Sequence, residues 1–246
     1  MRDKDFDLSV HSGIKTNMWC TKLKAALGQR INVEGLVSSL GFFSKDKHLA
    51  IPHVSVKDIS YIDWVKLKRR GFEGVVFDKD NTITVPYSLN LWSPLASSIY
   101  QCKSLFGNNI AVYSNSAGLD EYDPGGRKAR ILERVIGIKV IKHGVKKPAG
   151  TAEEIEKQFG CESSRLIMIH FGSFNFSPFT DIVYGNRNGF LTILTAPLSC
   201  AEEPLIVQQV RVLEMAFVNR WSCQGMKPTS HSLLPDCKQC VKDDPH

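Results

Sequence analysis

The stretch GVVFDKDNT, residues 74–82, decides the fold of this chain. Its first four residues predict a short buried strand, and Asp78 and Asp80 then leave the end of that strand on the same side. Similar apolar runs follow at 110–113, 138–141, 166–169 and 190–194, and we predict helices over 58–70, 91–105, 127–136, 152–159, 181–186 and 203–219. Strands that alternate with helices predict a parallel sheet covered on both faces, which is an α/β, Rossmann-like three-layer sandwich.

The charge of the chain is concentrated before this domain. Of 246 residues, 43% are hydrophobic, so the chain can bury a core. Residues 15–70 carry 11 basic and 4 acidic side chains, whereas the whole chain has a net charge of +6. Such a segment attracts a polyanion, either anionic lipid or nucleic acid. A basic amphipathic helix predicted over 18–43 either lies on a membrane surface or packs on the domain with its basic face in solvent.

Three parts are therefore expected. A basic amphipathic N-terminal extension covers 1–57, the α/β domain covers 58–220, and a polar, proline-containing tail over 221–246 is predicted to be disordered. No stretch approaches the roughly 18 apolar residues of a membrane-spanning helix. We find no nucleic-acid-binding motif. The charge alone leaves a lipid phosphate and a nucleic-acid phosphate open as partners.

The seven cysteines have irregular spacing, which indicates a reducing compartment rather than a disulfide scaffold. Cys237 and Cys240 form a lone C-x-x-C pair, which is a weak signal for metal or redox chemistry.

Polar residues follow three of the predicted strands at the edge where such sheets place their sites. A carboxylate at Asp78 needs no deprotonation near neutral pH to attack phosphorus, and Asp80 can protonate the leaving alkoxide and then activate water. Two acids this close repel, so Mg²⁺ with oxygen ligands is expected between them. Ser114 and Asn115 can hold phosphoryl oxygens, and the pair Lys146 and Lys147 before Pro148 can neutralise their charge.

These motifs, in this order, resemble those of the haloacid dehalogenase superfamily of phosphotransferases. FDKDNTIT, YSNS and KKPAG look like its first three motifs. A closer resemblance, to the phosphatidylglycerophosphate phosphatases of mitochondria and plastids, runs through IDW at 62–64 and FTDIVYGNRNGFLTILTAPL. The resemblance implies a fold of the superfamily's type and hydrolysis of phosphatidylglycerophosphate in phosphatidylglycerol and cardiolipin synthesis. It also implies an anionic phospholipid substrate at a membrane surface as the partner, and a mitochondrial or plastid location, peripheral to the inner membrane.

The same resemblance assigns roles to the site residues. Asp78 is the nucleophile that forms an aspartyl-phosphate, and Asp80 is the general acid and base. The phosphoryl group is bound by Thr82, which also supports the motif loop, and by Ser114, Asn115 and Lys147. Lys147 is preferred to Lys146 because the family places its lysine directly before proline. The Mg²⁺ ligands are Asp78, Asp80 and Asp181.

One departure from the family pattern stands after the fourth strand. Where the pattern has Gly-Asp-Arg, this chain has HFGSFNFS, residues 170–177, and then Thr180 and Asp181. The first acid of that motif has no counterpart, and Asn175 offers only a neutral oxygen. Two alternatives to the phosphatidylglycerophosphatase remain open: a phosphatase of the same superfamily that acts on another phosphoester, and a catalytically impaired isoform.

The spacing of the motifs also bears on the substrate. From Thr82 to Ser114, and from Ser116 to Lys147, there is room for one helix and one strand, so no large cap domain is expected. An open site suits a phosphate at a membrane surface. It also suits a phosphate on a protein or a nucleic acid.

Overall fold

The computed structural model describes residues 47–147, 149–171, 178–199, 216, 220–221 and 223–242. The strands are β1 (Val54–Val56), β2 (Gly74–Phe77), β3 (Ile110–Val112), β4 (Lys139–Val140), β5 (Leu166–Phe171) and β6 (Leu191–Thr195). The helices are α1 (Trp64–Arg69), α2 (Ala96–Phe106), α3 (Arg127–Ile136), α4 (Glu153–Phe159) and α5 (Pro178–Arg187). The helix predicted over 18–43 lies outside the described residues, as does all of 203–219 except residue 216.

All six strands are parallel, in the order β1-β6-β5-β2-β3-β4. The chain runs outward from β2 through β3 to β4, then crosses back to β5 on the other side of β2. The strand order therefore reverses beside β2, and in open α/β sheets ligands bind at such a reversal, at the carboxyl ends of the strands. The predicted α/β sandwich is confirmed.

The strand β1 was not predicted from the sequence. It pairs with β6, so Val54 lies beside Ile193 and residues assigned to the extension form an edge of the sheet. A strand of three residues offers too short a pattern to be distinguished from loop. The domain thus begins earlier than residue 58.

The sheet separates two hydrophobic layers. Val75 and Phe77 face α1, α2 and α3, whereas Val76 faces α4 and α5, because successive strand residues point to opposite faces. Trp64 is fully buried in the first layer, and its indole N–H donates to the Ser98 hydroxyl at 2.9 Å. Each such buried apolar side chain contributes roughly 1.5–3 kcal/mol relative to an exposed one. Burial on both faces fixes the strand ends that carry the polar residues.

The tail was predicted to be disordered, but the structure shows residues 223–242 packed on the domain. Leu234 and Cys240 are 1% exposed and belong to the core layer of α1 and α2. The Asp63 N–H donates to the Cys240 carbonyl at 2.8 Å, and the Lys242 N–H donates to the Tyr61 carbonyl at 2.8 Å. A few apolar residues among many polar ones suffice to anchor the segment, which is why its composition misled the prediction.

The segments between the motifs carry no added domain. Residues 82–114 contain a 3-10 turn, α2 and β3, and residues 116–147 contain α3 and β4. The absence of a cap in these two segments agrees with the prediction. No helix in the described ranges has the length and apolar character needed to cross a bilayer.

Candidate active site

The tip of β2 lies between the tips of β3 and β5. The Asp78 N–H donates to the Ile169 carbonyl at 2.8 Å, and the Tyr113 N–H donates to the Phe77 carbonyl at 2.8 Å. The parallel ladder thus continues to the point where the polar residues begin. Asp78 shares its side-chain direction with Val76, so it faces the layer of α4 and α5.

Lys147 is the centre of the site. Its ammonium lies 3.2 Å from Oδ1 of Asp78 and 3.2 Å from Oδ1 of Asp181, and it donates to the Tyr113 carbonyl at 3.1 Å. The side chain is 2% exposed. Burial lowers the pKa of Lys147, but Asp181 and Asp78 outweigh burial and hold that pKa above its usual value. Lys147 is therefore a fixed positive charge that draws two carboxylates to one point.

Asp78 is held in a more protonated state than an ordinary aspartate. Burial raises its pKa to about 6, Lys147 opposes that rise, and Asp181 and Asp80 add to it. One lysine does not balance the surrounding carboxylates, so the point between Asp78 and Asp181 keeps an excess of negative charge. The carboxylate needed for attack on phosphorus is present above about pH 6.

Asp80 turns toward the first motif loop instead of toward Lys147. Its Oδ2 accepts from the Ser116 hydroxyl at 2.6 Å, and its Oδ1 accepts from the Tyr87 N–H at 3.1 Å and from the Lys79 ammonium. The Asp80 side chain is 22% exposed, twice the 11% of Asp78. Asp80 is thus the more accessible of the two acids, at the mouth of the site.

The second motif loop lies beside both acids. The Ser114 and Ser116 hydroxyls are 3.0 Å apart, and the Asn115 side chain accepts from the Lys147 N–H at 3.3 Å. His143 approaches the carbonyls of Ser114 and Val145 with its two ring nitrogens, at 3.1 and 2.7 Å. These contacts fix the loop relative to Lys147.

The tip of β5 carries no acid. The Phe171 N–H donates to the Thr82 hydroxyl at 2.9 Å, so Thr82 supports the loop. Phe77 pairs with Ile169, and the residues that follow them, Asp78 and His170, therefore stand side by side on one face of the sheet.

His170 has no exposed surface, and neither ring nitrogen has a hydrogen-bond partner within the described residues. Burial lowers its pKa to about 3, with a further contribution from Lys147 opposed by Asp78, so the imidazole is neutral.

The side chains present fit a hard divalent cation through two carboxylates. Asp78 and Asp181 both lie 3.2 Å from the Lys147 ammonium, and their two negative charges exceed its one positive charge. Mg²⁺ is commonly held by one or two carboxylates, with water and phosphate completing its shell. Asp80 does not join them: the described residues contain no cluster of three ligating side chains. The ligand set of Asp78, Asp80 and Asp181 for Mg²⁺ stays a prediction.

Most of the predicted site residues meet in one place. Asp78, Lys147 and Asp181 are in direct contact, and Asp80, Ser114 and Asn115 lie in the adjoining loops. Lys146 points away, with its ammonium 3.2 Å from the Tyr122 hydroxyl, which agrees with the choice of Lys147. Pro148 and Asn175 are outside the described residues, as is the Thr180 side chain.

The sequence analysis did not identify three residues that contribute to the site. Lys79 pairs with Asp80, Ser116 donates to it, and His170 stands beside Asp78. Ser116 lies within the quoted YSNS motif, so its position was available as a signal. The other two required the three-dimensional packing.

Comparison with known proteins gives one family. The family described as mitochondrial PGP phosphatase matches residues 33–199. The chain is 63% identical over 229 residues to the phosphatidylglycerophosphate phosphatase 1, chloroplastic/mitochondrial, of Arabidopsis thaliana, covering 93% of this chain and 64% of the relative. It thus spans just under two thirds of that relative's length. No solved structure matches the chain at a significant level.

Two further relatives are more distant. The phosphatidylglycerophosphate phosphatase 1, chloroplastic, of Chlamydomonas reinhardtii is 40% identical over 246 residues, covering 99% of this chain and 87% of the relative. A probable phosphatase of Bacillus subtilis, YqeG, is 26% identical over 157 residues, covering 63% of this chain and 83% of the relative.

Proposed function

Because this chain belongs to the family of mitochondrial PGP phosphatases, which are haloacid dehalogenase-like phosphatases, we propose that it hydrolyses phosphatidylglycerophosphate to phosphatidylglycerol and phosphate. The observation that carries the proposal is the meeting of Asp78, Lys147 and Asp181 at the reversal point of the sheet. The Lys147 ammonium provides a positive charge for a phosphoryl dianion beside the nucleophile, and a divalent cation would offset the remaining charge of the carboxylates.

The reaction follows from the positions of the two acids. An Asp78 oxygen attacks the phosphorus and the bond from phosphorus to the lipid glycerol oxygen breaks, while Asp80 supplies the proton that the departing oxygen needs. Asp80 then takes a proton from a water molecule, which attacks the phosphorus and breaks its bond to Asp78. Phosphate leaves and the free carboxylate is restored.

The remaining residues bind and orient the phosphoryl group. Lys147 offsets the charge that develops on the phosphoryl oxygens, and the Ser114 hydroxyl and Asn115 side chain provide neutral polar groups beside it. The proposed Mg²⁺ ligands are Asp78 and Asp181. When bound, the ion would neutralise part of the charge of the phosphoryl group. Asp80, a predicted ligand, acts in this scheme through its carboxylate proton alone.

A membrane surface is the proposed place of action. The site has no cap in the segments where one would be inserted, and the basic excess at 15–70 suits attraction to anionic lipid. The printed names of the plant and algal relatives are chloroplastic/mitochondrial and chloroplastic. These names support a mitochondrial or plastid location, and we propose that the chain acts there peripheral to the inner membrane.

A second candidate rests on the tip of β5. Residues 170–177 stand where the family pattern has Gly-Asp-Arg, and the two of them that the structure describes, His170 and Phe171, are buried. A site that keeps Lys147 but binds the cation through two carboxylates alone would hold a phosphorylated lipid and turn it over slowly or not at all. In that case the chain is a binding protein for the same lipid.

Turnover measurements separate these candidates. The full chain is assayed with Mg²⁺ against phosphatidylglycerophosphate in vesicles and against a panel of soluble phosphate monoesters, with Asp78→Asn as the control. We expect release of phosphate from the lipid that exceeds release from the soluble esters and is absent in Asp78→Asn. Faster turnover of the soluble esters rejects the lipid substrate, and equal rates for wild type and Asp78→Asn reject hydrolysis.

A further inference from the structure

A cationic cavity lies away from the active site. Lys66, Arg69 and Arg70 project from one side of α1 into a cavity of about 350 Å³ whose other lining residues, Leu234 and Gln239, come from the tail. Leu234 is 1% exposed and forms its apolar floor. The Arg70 guanidinium donates to the Gln239 side chain, which links the two walls. The cavity exists only because the tail is docked on α1.

The cations of this cavity are weakly neutralised. Lys66 pairs with Asp63 at 3.4 Å, but the Lys66 side chain is 57% exposed, which leaves little of that attraction. The Arg69 guanidinium makes no ion pair or hydrogen bond with any residue in the described ranges. Cations near a helix end also offset the helix dipole, but that effect does not require them to converge with a glutamine from a distant segment.

The neighbouring lysine on the same helix behaves differently. The Lys68 ammonium lies 5.0 Å from the centre of the Phe106 ring and does not line the cavity. It carries the same charge on the same turn of helix. Lys68 therefore offers a matched control for electrostatic effects that are not specific to the cavity.

The cavity and the catalytic residues lie at opposite edges of the sheet. Arg70 precedes the start of β2 at Gly74, and Phe106, beside Lys68, precedes the start of β3. Asp78 follows the far end of β2. A ligand in the cavity therefore does not reach Asp78, and a flat membrane that presents substrate to Asp78 does not simultaneously cover the cavity.

We propose that this cavity is a second anion site, which binds a phosphate-bearing molecule and thereby clamps the tail onto α1. The guanidinium groups of Arg69 and Arg70 match the geometry of phosphate oxygens, and Lys66 adds a further positive charge. The Gln239 amide, which accepts from Arg70 and donates to Asp236 at 3.3 Å, holds the wall of the cavity in place. The volume exceeds what inorganic phosphate alone fills, so the ligand carries a further group beside its phosphate. The proposal does not depend on the reaction at Asp78.

The tail supplies a local reporter of this binding. Cys237 is half-buried in the docked tail, beside Gln239, whereas Cys223 is exposed. A ligand that bridges α1 and the tail stabilises the docked state by mass action, and at about ten times its dissociation constant it slows opening of the tail about tenfold. A maleimide labels Cys237 when the tail opens, and mass spectrometry follows the labelling with Cys223 as the internal reference. The labelling rate therefore reports ligand binding in the cavity and not at the active site.

The experiment compares wild type, Arg69→Gln and Lys68→Gln, each confirmed as folded by circular dichroism. Pyrophosphate in solution is one arm, and vesicles of phosphatidylcholine with phosphatidic acid are the other. We expect about tenfold protection of Cys237 from labelling in wild type and in Lys68→Gln, and loss of this protection in Arg69→Gln. Protection by pyrophosphate identifies a free ligand, whereas protection only by vesicles identifies a lipid headgroup. Equal behaviour of Arg69→Gln and Lys68→Gln in both arms, or no protection of wild type in either arm, overturns the proposal.

Discussion

The Lys147 ammonium lies 3.2 Å from Oδ1 of Asp78, although 69 residues separate the two in the sequence. The parallel sheet brings them together because β2 and the loop after β4 end at the same edge. The same ammonium contacts Asp181, which comes from α5. Three distant segments thus meet at one point, which is the arrangement expected for a phosphoryl-transfer site.

The pH dependence of turnover should report the Asp78–Lys147 pair. Asp78 must be ionised to attack, and its pKa is raised to about 6, so activity should fall as the pH drops below about 6. Lys147 lowers the pKa of Asp78, so Lys147→Gln should move this acid limb upward by about one to two pH units. Profiles of kcat/KM against pH, which report the free enzyme, measure the shift for wild type and Lys147→Gln.

Lys146→Gln is the matched control for that experiment, because Lys146 has the same charge but contacts Tyr122. Its acid limb should coincide with that of the wild type. If Lys146→Gln moves the limb as far as Lys147→Gln does, the pair does not govern the titration.

Cation binding should depend on Asp181 more than on Asp80. Asp78 and Asp181 converge on one point, whereas Asp80 is held by Lys79 and Ser116. Mn²⁺ followed by electron paramagnetic resonance serves as a probe, with no need for turnover. Asp181→Asn should weaken binding about tenfold or more, and Asp80→Asn should change it little. A larger loss in Asp80→Asn would contradict the two-carboxylate site.

Replacement of His170 by leucine should stabilise the chain. Both ring nitrogens are buried without a partner in the described part of the protein, and an unsatisfied buried polar group costs about 1–3 kcal/mol. His170→Leu removes that cost at similar volume, so the free energy of unfolding in urea should rise by about 1 kcal/mol. A fall in stability would mean that the imidazole has a favourable partner in the native protein.

The docked tail should contribute measurably to stability. Leu234 is buried in the layer of α1 and α2, so Leu234→Ala should lower the free energy of unfolding by about 2–4 kcal/mol. Lys238→Ala, at an exposed position of the same segment, should change it by less than about 0.5 kcal/mol. Equal stability of Leu234→Ala and wild type in a urea titration would show that the tail is not part of the cooperative unit.

The sequence was a good guide to the sheet and to the residues at its carboxyl edge. GVVF and the later apolar runs are buried on both faces, and such runs are recognisable without knowledge of the fold. The same pattern of strands and helices placed Asp78 and Lys147 after strands and Asp181 near the start of a helix. The edge strand β1 and the anchored tail were missed, because each depends on a few residues whose partners lie far along the chain.

The sequence did not predict which way the side chains at the site point. Spacing alone placed Asp78 and Asp80 together on one cation. In the structure Asn81 has a left-handed backbone, with φ of 58°, and the turn carries Asp80 toward Lys79 and Ser116. Alternation along a regular strand does not extend through such a turn, so spacing alone does not give the direction of the Asp80 side chain. The ligand set of Asp78, Asp80 and Asp181 stays a prediction.

The most direct test of the account is to trap the covalent intermediate. Asp80→Asn slows the hydrolysis of an aspartyl-phosphate, so this variant is mixed with phosphatidylglycerophosphate and Mg²⁺, quenched in acid and mapped by mass spectrometry, with Asp78→Asn treated in parallel. The account predicts one phosphorylated aspartate, at Asp78, and none in Asp78→Asn. Phosphate on another residue, or phosphate release by Asp78→Asn at the wild-type rate, would contradict it.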